Sequence, residues 1–435
     1  MAERDAWSSK TGFILASVGA AMGLGSIWMF PYRIGAFGGA AFLVPYLIFT
    51  FALAVTGLMG EFAFGRSRQS GAISAFESVL KEKGKNYGAA LGILPVLGVS
   101  GVFVFYLIVC GWILRYFVLA LTGFDQIDPG QYFGSFAGQS PSIIWHFLAL
   151  VLTMAIIMKG ISGGIEKANK IMMPGLFIIL LILLIRVLTL PGVTKGIAFL
   201  TVPDWSKLAD PITWVMALGQ AFFTVALGGA AMLVYGSYLR ETEDIPSSAI
   251  HTAIWTTIAS LLAAFVVIPS AFAFNLDPQA GPPLLFIVIP HVFAAMPGGY
   301  FFGILFFAAI IFAAISSAVN LMEVPVEAIQ DRFKLSRRQA SIVVAIAGFI
   351  VGLPLDLNMN LFGTFADTVT IYLVPFGAAL AAFVFFWIYG AEKARAQVNK
   401  GAVKPIGKWW EYWAKYVFTG VTIFVLVMGV FVGGF

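Results

Sequence analysis

Residues 16–26 read ASVGAAMGLGS and residues 220–230 read QAFFTVALGGA, and each glycine-rich stretch interrupts a long apolar segment. A helix that breaks inside a bilayer leaves backbone N–H and C=O groups without partners, which is tolerated only next to protein or a wet cavity. Freed amides bind anions and freed carbonyl oxygens bind cations. Each break lies in the first helix of one half of the chain. Paired breaks of this kind predict a transport site near the membrane midplane.

The composition is that of a membrane protein with many helices. Of the 435 residues, 60% are hydrophobic and 11% are charged, which is more apolar surface than a soluble chain of this size can bury. The apolar segments are continuous rather than alternating, which disfavours an outer-membrane barrel. The pattern predicts eleven spans, at residues 12–35, 40–65, 92–122, 142–158, 168–188, 213–238, 248–275, 300–329, 338–354, 363–390 and 416–434.

The predicted fold is an all-α polytopic membrane protein with one transmembrane domain over residues 1–435. A broken helix begins each of two five-helix units, at residues 12–188 and 213–390. Five is an odd number, so two such units enter the membrane from opposite sides and form a 5+5 inverted repeat. The span at 416–434 is then an eleventh helix outside the repeat.

The positions of basic residues predict the orientation. With the amino terminus in the cytoplasm, 21 of the 26 Lys and Arg residues lie on the cytoplasmic side, as the positive-inside rule requires. Eleven spans then place the carboxyl terminus outside the plasma (inner) membrane. The net charge of +5 suits an anionic lipid bilayer and gives no indication of nucleic-acid binding. The five exceptions are Arg33, Arg115, Arg186, Lys195 and Lys207.

Several motifs, taken together, resemble the neurotransmitter:sodium symporter family, including its bacterial amino-acid members. They run in family order across nearly the whole chain, and their joint occurrence is highly specific. The resemblance implies sodium-coupled uptake of an amino acid by alternating access, with sodium as a coupling ion and chloride as a candidate second ion. The motifs are residues 7–31, GGAAFLVPY at 38–46, GEFAFGR at 60–66, GQAFFT at 219–224, FAAISS at 312–317, KLSR at 334–337 and FFWIYGAE at 385–392.

The resemblance implies a second sodium site between the first and eighth helices. Sodium is a hard cation that prefers oxygen ligands, such as backbone carbonyl and hydroxyl groups. A Ser-Ser pair in an apolar helix otherwise bonds back to its own helix, so the family match is what favours the ligand role. The site would use the carbonyl oxygens of Gly19, Met22 and Ala313 and the hydroxyl groups of Ser316 and Ser317.

The family's first sodium site is less complete in this chain. Ser26 stands where the family has an asparagine, and a second asparagine position falls at Thr256, or at Trp255 if a gap is placed earlier. Ala21 and Thr224 match the family. The resemblance therefore leaves open whether one or two sodium ions bind in each cycle.

A chloride site is also implied. Tyr46, Gln220, Thr224 and Ser260 match the donors of chloride-dependent members of the family. Chloride-independent members often carry a carboxylate at the position of Ser260, and this chain has none there. Whether the chain depends on chloride stays open at this point.

The implied substrate is a neutral amino acid with a bulky apolar or aromatic side chain. The amides of Leu24 and Gly25 and the phenol of Tyr106 would hold its carboxylate. Gly23 replaces the aspartate of the monoamine carriers, so the substrate must bring its own carboxylate. Small residues at Ala226 and Gly229 enlarge the predicted pocket. The predicted lining residues are Ala21, Leu24, Gly25, Val102, Tyr106, Phe223, Thr224, Ala226, Gly229, Ser317 and Leu321.

Two gates and one structural carboxylate complete the implied site. Met29 replaces an arginine of the outer gate, where Arg33 and Asp367 are the candidate pair. Phe223 and Tyr106 would close the pocket sterically. The family assigns Glu61 to the backbone of the broken sixth helix, a structural role. The inner gate would comprise the ion pair Arg4–Asp331 with Trp7 and Tyr238 beside it.

The sequence gives little support for other classes of protein. The three histidines, at positions 146, 251 and 291, have no metal-ligand spacing, and the single cysteine, Cys110, excludes an internal disulfide. No nucleophile–His–acid set and no phosphate-binding motif indicates an enzyme. A sodium-independent exchanger and a nutrient sensor of the same fold remain alternatives. The oligomeric state stays open.

Overall fold

The computed structural model describes residues 5–124, 127–277 and 284–432, and all regular secondary structure in these ranges is helical. Within the described residues, eight helices are long and apolar enough to cross a membrane. The bent pairs Lys10–Ala21 with Gly25–Ala36 and Pro129–Phe136 with Pro141–Ile157 bring the number to as many as ten. The helix pair Pro211–Thr224 and Ala231–Ser237 matches the sixth predicted span, so eleven helices of the described residues correspond to predicted spans. They are α1 (Lys10–Ala21 and Gly25–Ala36), α2 (Ala40–Arg68), α3 (Gly88–Ala120), α4 (Pro141–Ile157), α5 (Ile161–Leu188), α6 (Pro211–Thr224 and Ala231–Ser237), α7 (Ile245–Ala273), α8 (Gly299–Phe333), α9 (Arg337–Asp356), α10 (Met359–Asn399) and α11 (Trp409–Phe431).

Each predicted span coincides with one of these helices, but several helices are longer than predicted. The tenth span was expected at residues 363–390, whereas α10 continues to Asn399. The helix Ala391–Asn399 is mostly polar, so hydropathy alone ends the span too early. Likewise, α5 begins at Ile161 and α11 at Trp409, in segments that mix polar and apolar residues.

The first break divides α1 at its glycines. Ser9 caps the amino terminus by accepting a hydrogen bond from the amide of Gly12 at 3.1 Å. The first half ends at Ala21, and the second half leaves at an angle of 58°. A Cβ atom at Gly23 would overlap the Tyr106 hydroxyl group and lie 2.6 Å from Ser317 Oγ. Only glycine therefore allows α3 and α8 to approach the break this closely.

The second break divides α6 over residues 225–230. Ala226 and Gly229 have φ angles of +56° and +79°, which the α-helix does not allow. Glu61 of α2 stabilises the unwound backbone, since its Oε1 accepts hydrogen bonds from the amides of Gly228 at 3.2 Å and Gly229 at 2.8 Å. The structure thus shows Glu61 in contact with the unwound backbone, where the resemblance placed it.

The two broken helices lie among the other membrane helices. The first half of α1 packs against α5, α7 and α8, and the two halves of α6 pack against α2. Helix α8 also packs against α3 and α5. As a result, the break in α1 faces α3 and α8, and side chains from these helices reach its unwound backbone.

Candidate functional site

Oxygen atoms of α1 and α8 converge at the first break. The carbonyl oxygen of Gly19 accepts hydrogen bonds from Ser316 Oγ at 2.8 Å and from Ser317 Oγ at 3.0 Å. Ser316 Oγ also lies 2.9 Å from the carbonyl oxygen of Ala313, and Ser317 Oγ lies 2.9 Å from that of Ala20. Both serines are buried. The structure therefore gathers four of the five predicted ligands of the second sodium site.

Met22, the fifth predicted ligand, directly follows the first half of α1. Its side chain is fully buried, and its amide donates to the carbonyl oxygen of Val18 at 2.7 Å. Its backbone has left the helical conformation, with φ −85° and ψ +50°. A residue that ends a helix in this way has a carbonyl oxygen outside the helical hydrogen-bond ladder.

The phenol of Tyr106 lies at the start of the second half of α1. Its oxygen accepts a hydrogen bond from the amide of Leu24 at 3.1 Å. A phenol has one O–H donor in addition to its acceptor lone pairs, so Tyr106 can bind a carboxylate while it holds this amide. The prediction that Tyr106 and the Leu24 amide share one site agrees with this geometry.

Phe223 lies on the other side of the same break. A Cβ atom at Gly25 would overlap its ring, so the ring contacts the backbone of Gly25 directly. Phe223 is 36% exposed, because it borders a cavity of about 80 Å³ that Met29, Arg33 and Val374 also line. Phe223 thus separates the backbone of Gly25 from this cavity, consistent with the predicted steric gate.

The remaining pocket residues divide into two groups. Val102, Ala226 and Leu321 are partly buried at the edge of the apolar core, and they leave apolar surface accessible. Gly229 differs, because a Cβ atom there would overlap the carbonyl group of Gly377 in α10. The enlargement of the pocket that was predicted at Gly229 is therefore not found, since the backbone of α10 occupies that space.

The predicted first sodium site is only partly assembled. Ser26 is fully buried, and its hydroxyl group has no hydrogen-bond partner among the described residues. Thr224 Oγ1 accepts from Gln220 Nε2 at 2.9 Å, whereas Thr256 Oγ1 donates to the Thr252 carbonyl within its own helix at 2.7 Å. Ala21 is buried at the break.

The alternative alignment at Trp255 is not supported by the structure. The Trp255 side chain is 44% exposed and packs edge-on against Phe177. Thr256, by contrast, is fully buried. Position 256 therefore faces the interior, and position 255 faces away from it.

A cluster of hydroxyl groups surrounds the predicted chloride site. The buried phenol of Tyr46 lies near the hydroxyl groups of Thr224 and Ser260, and also near those of Thr50 and Thr257. Within the described residues, the hydroxyl groups of Tyr46, Thr50 and Thr257 have no partner in hydrogen-bonding geometry. Thr50 and Thr257 were missed in the sequence, where a lone threonine in an apolar helix gives no distinguishing signal.

Gln220 connects this cluster to the first break and to Arg33. Its Nε2 donates to the Gly25 carbonyl at 3.2 Å, and its Oε1 accepts from Arg33 Nη1 at 2.9 Å. Arg33 is 1% exposed, and its Nε and Nη2 have no partner among the described residues. Asp367 is exposed, and within the described ranges no ion pair joins it to Arg33. The predicted outer ion pair is thus absent from this conformation.

A polar network closes the end of the bundle that contains Trp7 and Tyr238, and we call this end the amino-terminal end. Tyr238 Oη donates to Glu323 Oε1 at 2.7 Å. Arg337 binds the same carboxylate through two nitrogen atoms, at 3.1 and 2.5 Å. Trp7 Nε1 donates to the Tyr235 carbonyl at 3.0 Å. Trp7 and Tyr238 therefore both lie at this closure, where the resemblance placed them.

Of the predicted pair Arg4–Asp331, Arg4 lies outside the described residues. Asp331 accepts a hydrogen bond from Ser74 and lies 3.4 Å from Lys334 Nζ. Glu323 and Arg337 were not predicted as gate residues. A carboxylate within the apolar helix α8 is the signal that could have identified Glu323.

Two broken helices lie within a bundle of membrane helices, and backbone amides, backbone carbonyls and side-chain hydroxyl groups come together at the breaks. This arrangement is typical of a secondary transporter. This chain belongs to the sodium:neurotransmitter symporter family, whose profile matches residues 4–126 and 137–433. In the part of the chain that the structure describes, no cluster of His, Cys, Asp and Glu could hold a metal ion. The family consists of transporters, not enzymes.

The relatives support the same assignment. An uncharacterized sodium-dependent transporter of Bacillus subtilis (YhdH) is 36% identical over 430 residues, which covers 94% of each chain. An uncharacterized sodium-dependent transporter of Methanocaldococcus jannaschii is 34% identical over 442 residues, covering 95% of this chain and 88% of the relative. The crystal structure of MhsT in complex with L-phenylalanine matches with a TM-score of 0.87 and 34% identity over the full length of both chains. The chain is therefore a sodium-coupled transporter that spans the membrane several times.

Proposed function

We propose that the chain takes up a neutral amino acid with a bulky apolar or aromatic side chain, driven by sodium. The observation that carries this proposal is the hydrogen bond of 3.1 Å between the Leu24 amide and the Tyr106 phenol at the helix break. A substrate carboxylate fits there, because the helix amino terminus and the phenol both offer donors. The MhsT match, a complex with L-phenylalanine, supports an amino acid as the substrate.

Sodium would bind between α1 and α8 at the second site. The serine hydroxyl groups now donate to the Gly19 carbonyl at 2.8 and 3.0 Å. A hydroxyl oxygen can turn its hydrogen away and offer a lone pair to a cation instead. Sodium would thus replace hydrogen bonds between the two helices with shared coordination, and it would select the conformation in which both helices lie close together.

Transport follows from opening the bundle at one end at a time. With the amino terminus in the cytoplasm, the network of Tyr238, Glu323 and Arg337 closes the cytoplasmic side. The cavity bordered by Phe223 then lies on the outer side of the substrate site. The two repeats of residues 12–188 and 213–390 would move against each other, with 416–434 as the additional helix.

The hydroxyl groups of Tyr46, Thr50, Thr224, Thr257 and Ser260, here called the Tyr46 cluster, are proposed as the chloride site. Three of its hydroxyl groups have no hydrogen-bond partner among the described residues, and these groups and the nearby buried Arg33 favour a small anion. A buried cation without a carboxylate partner is costly, and an anion would reduce that cost. If chloride has no effect on binding, the cluster has a structural role. The first sodium site, with Ala21, Ser26, Thr224 and Thr256, is the weaker of the two cation sites.

The experiment is equilibrium binding of a panel of amino acids to the purified transporter, with sodium replaced by choline and chloride by gluconate. We expect the tightest binding for phenylalanine, tryptophan, leucine or another bulky neutral residue, and only with sodium. Selectivity for glycine or a cationic amino acid would contradict the pocket. Binding that does not depend on sodium would favour the exchanger, and binding without transport into liposomes would favour the sensor.

A further inference from the structure

One buried amide oxygen near the proposed second sodium site has no hydrogen-bond partner in the part of the chain that the structure describes. Asn169 of α5 is fully buried, and its Oδ1 makes no hydrogen bond within the described residues. Its Nδ2 donates to the Ile165 carbonyl at 2.9 Å. This bond fixes the amide orientation, because the reversed amide would place two acceptor oxygens against each other. A buried acceptor in this condition normally has a ligand, water or ion.

The unpartnered oxygen points at Gly19. A Cβ atom at Gly19 would overlap Asn169 Oδ1 and would lie 3.1 Å from the Cβ atom of Ser316. Asn169 Oδ1 and Ser316 therefore lie on the same side of the Gly19 backbone. Since Ser316 Oγ is 2.8 Å from the Gly19 carbonyl oxygen, the amide oxygen borders the group of oxygens assigned to sodium. Amide oxygens are suitable ligands for hard cations.

The preceding turn of α5 contacts α1 at a second point. Glu166 is buried, and its carboxylate accepts hydrogen bonds from the Ser8 amide at 2.7 Å and from Ser9 Oγ at 2.9 Å. Residues 166 and 169 are three apart, which places them on the same face of the helix. One face of α5 thus contacts both the start of α1 and the residue beside its break.

We propose that Asn169 Oδ1 supplies an additional oxygen to the second sodium site, so that α5 takes part in holding the ion. This inference rests on the proposed function, because it requires sodium between α1 and α8. The bound ion then connects three helices, and α5 transmits its presence to the start of α1 through Glu166. The ligand is a monovalent cation, and the added oxygen raises its affinity.

The test is the sodium concentration that half-saturates thermal stabilisation of the purified protein, with choline as the replacement ion at constant ionic strength. The probe is sodium alone, so the assay does not depend on the identity of the substrate. Asn169→Leu removes the oxygen at similar volume and should raise the half-saturating concentration about tenfold. Asn169→Asp keeps the oxygen and loses the donor to the Ile165 carbonyl. Its added negative charge beside the ion outweighs that loss, and it should lower that concentration about threefold.

Two further variants make the result decisive. Ser316→Ala removes an assigned ligand and should also raise the half-saturating concentration. Ser270→Ala, whose hydroxyl group donates to the Val266 carbonyl at 2.6 Å within its own helix, should leave it unchanged. An effect of Ser316→Ala without one of Asn169→Leu would overturn the role of Asn169 and preserve the sodium site. No effect of either would refute the site itself. If Asn169→Leu does not fold, an unchanged value for Asn169→Asp overturns the inference.

Discussion

Ser316 Oγ of α8 donates a hydrogen bond of 2.8 Å to the carbonyl oxygen of Gly19 in α1. The bond joins the two helices in the last turn of the first half of α1, just before the break. Both partners are oxygen atoms of the kind that sodium binds. In the proposed mechanism a shared sodium ion would replace this hydrogen bond, and sodium concentration would then shift the balance between conformations.

Glu61 is expected to hold the unwound part of α6 in place. Replacement by leucine leaves the amides of Gly228 and Gly229 without their acceptor, at a cost of about 1–3 kcal/mol for each buried group. Glu61→Leu should lower the melting temperature and abolish substrate binding, while Glu61→Gln keeps Oε1 and retains most of both. Differential scanning fluorimetry and amino-acid binding check this. Normal binding by Glu61→Leu would show that the contact is dispensable.

Gly23 is expected to tolerate no side chain. A methyl group would overlap the Tyr106 hydroxyl group and lie 2.6 Å from Ser317 Oγ, so the helices around the break must separate. Such overpacking costs about 1–3 kcal/mol, and Gly23→Ala should weaken amino-acid binding at least about tenfold. The matched control is Gly420→Ala, where a Cβ atom meets nothing within 4 Å. Equal affinities of the two variants would contradict the geometry of the site.

Arg337 is expected to keep the amino-terminal end closed. Arg337→Ala leaves the buried Glu323 carboxylate without its cation, which costs about 3–5 kcal/mol in the closed conformation. Thiol labelling of Leu239→Cys, a 3% exposed position at this end, should become faster in a Cys110→Ser background.

The control for this labelling experiment is Arg338→Ala, because the neighbouring Arg338 is exposed. Its labelling rate should equal that of the parent protein. A rate in Arg337→Ala that matches the control would mean that the Glu323 network does not contribute to closure.

The buried pair His146–Asp356 is expected to stabilise the packing of α4 against α9. His146 Nδ1 lies 2.7 Å from Asp356 Oδ2, and Ser142 Oγ donates to Oδ1 at 2.8 Å. His146→Leu leaves the buried Asp356 carboxylate with one partner fewer. It should lower the free energy of unfolding by about 3–5 kcal/mol. The double variant His146→Leu/Asp356→Leu should recover part of that loss. Additive losses in thermal denaturation would show that the two side chains do not interact.

Much of the fold could be predicted because it depends on local signals. Long apolar runs determine membrane helices, and the glycines of residues 16–26 mark the first break without any knowledge of neighbouring helices. The Ser316–Ser317 pair could likewise be singled out, since both residues are adjacent and the family motif includes them. The structure places both beside Gly19, and their role as sodium ligands stays a prediction.

The rest depends on contacts between helices that are distant in sequence. Nothing in the sequence around Gly229 shows that the Gly377 carbonyl fills the adjacent space, so the missing side chain alone predicts an enlarged pocket. Arg337 and Glu323 are fourteen residues apart on two helices, and their pairing depends on the turn between α8 and α9. That Asn169 Oδ1 has no partner among the described residues becomes evident only from the three-dimensional positions of the neighbouring donors.

The most direct test is uptake of labelled L-phenylalanine by proteoliposomes, in parallel for the parent protein and for Ser316→Ala/Ser317→Ala. With sodium outside and choline inside, we expect the parent to accumulate substrate above its external concentration and to stop when an ionophore collapses the gradient. The double variant should lose this accumulation. Equal accumulation with choline outside, or undiminished sodium-driven uptake by the double variant, would contradict sodium coupling through Gly19, Ser316 and Ser317.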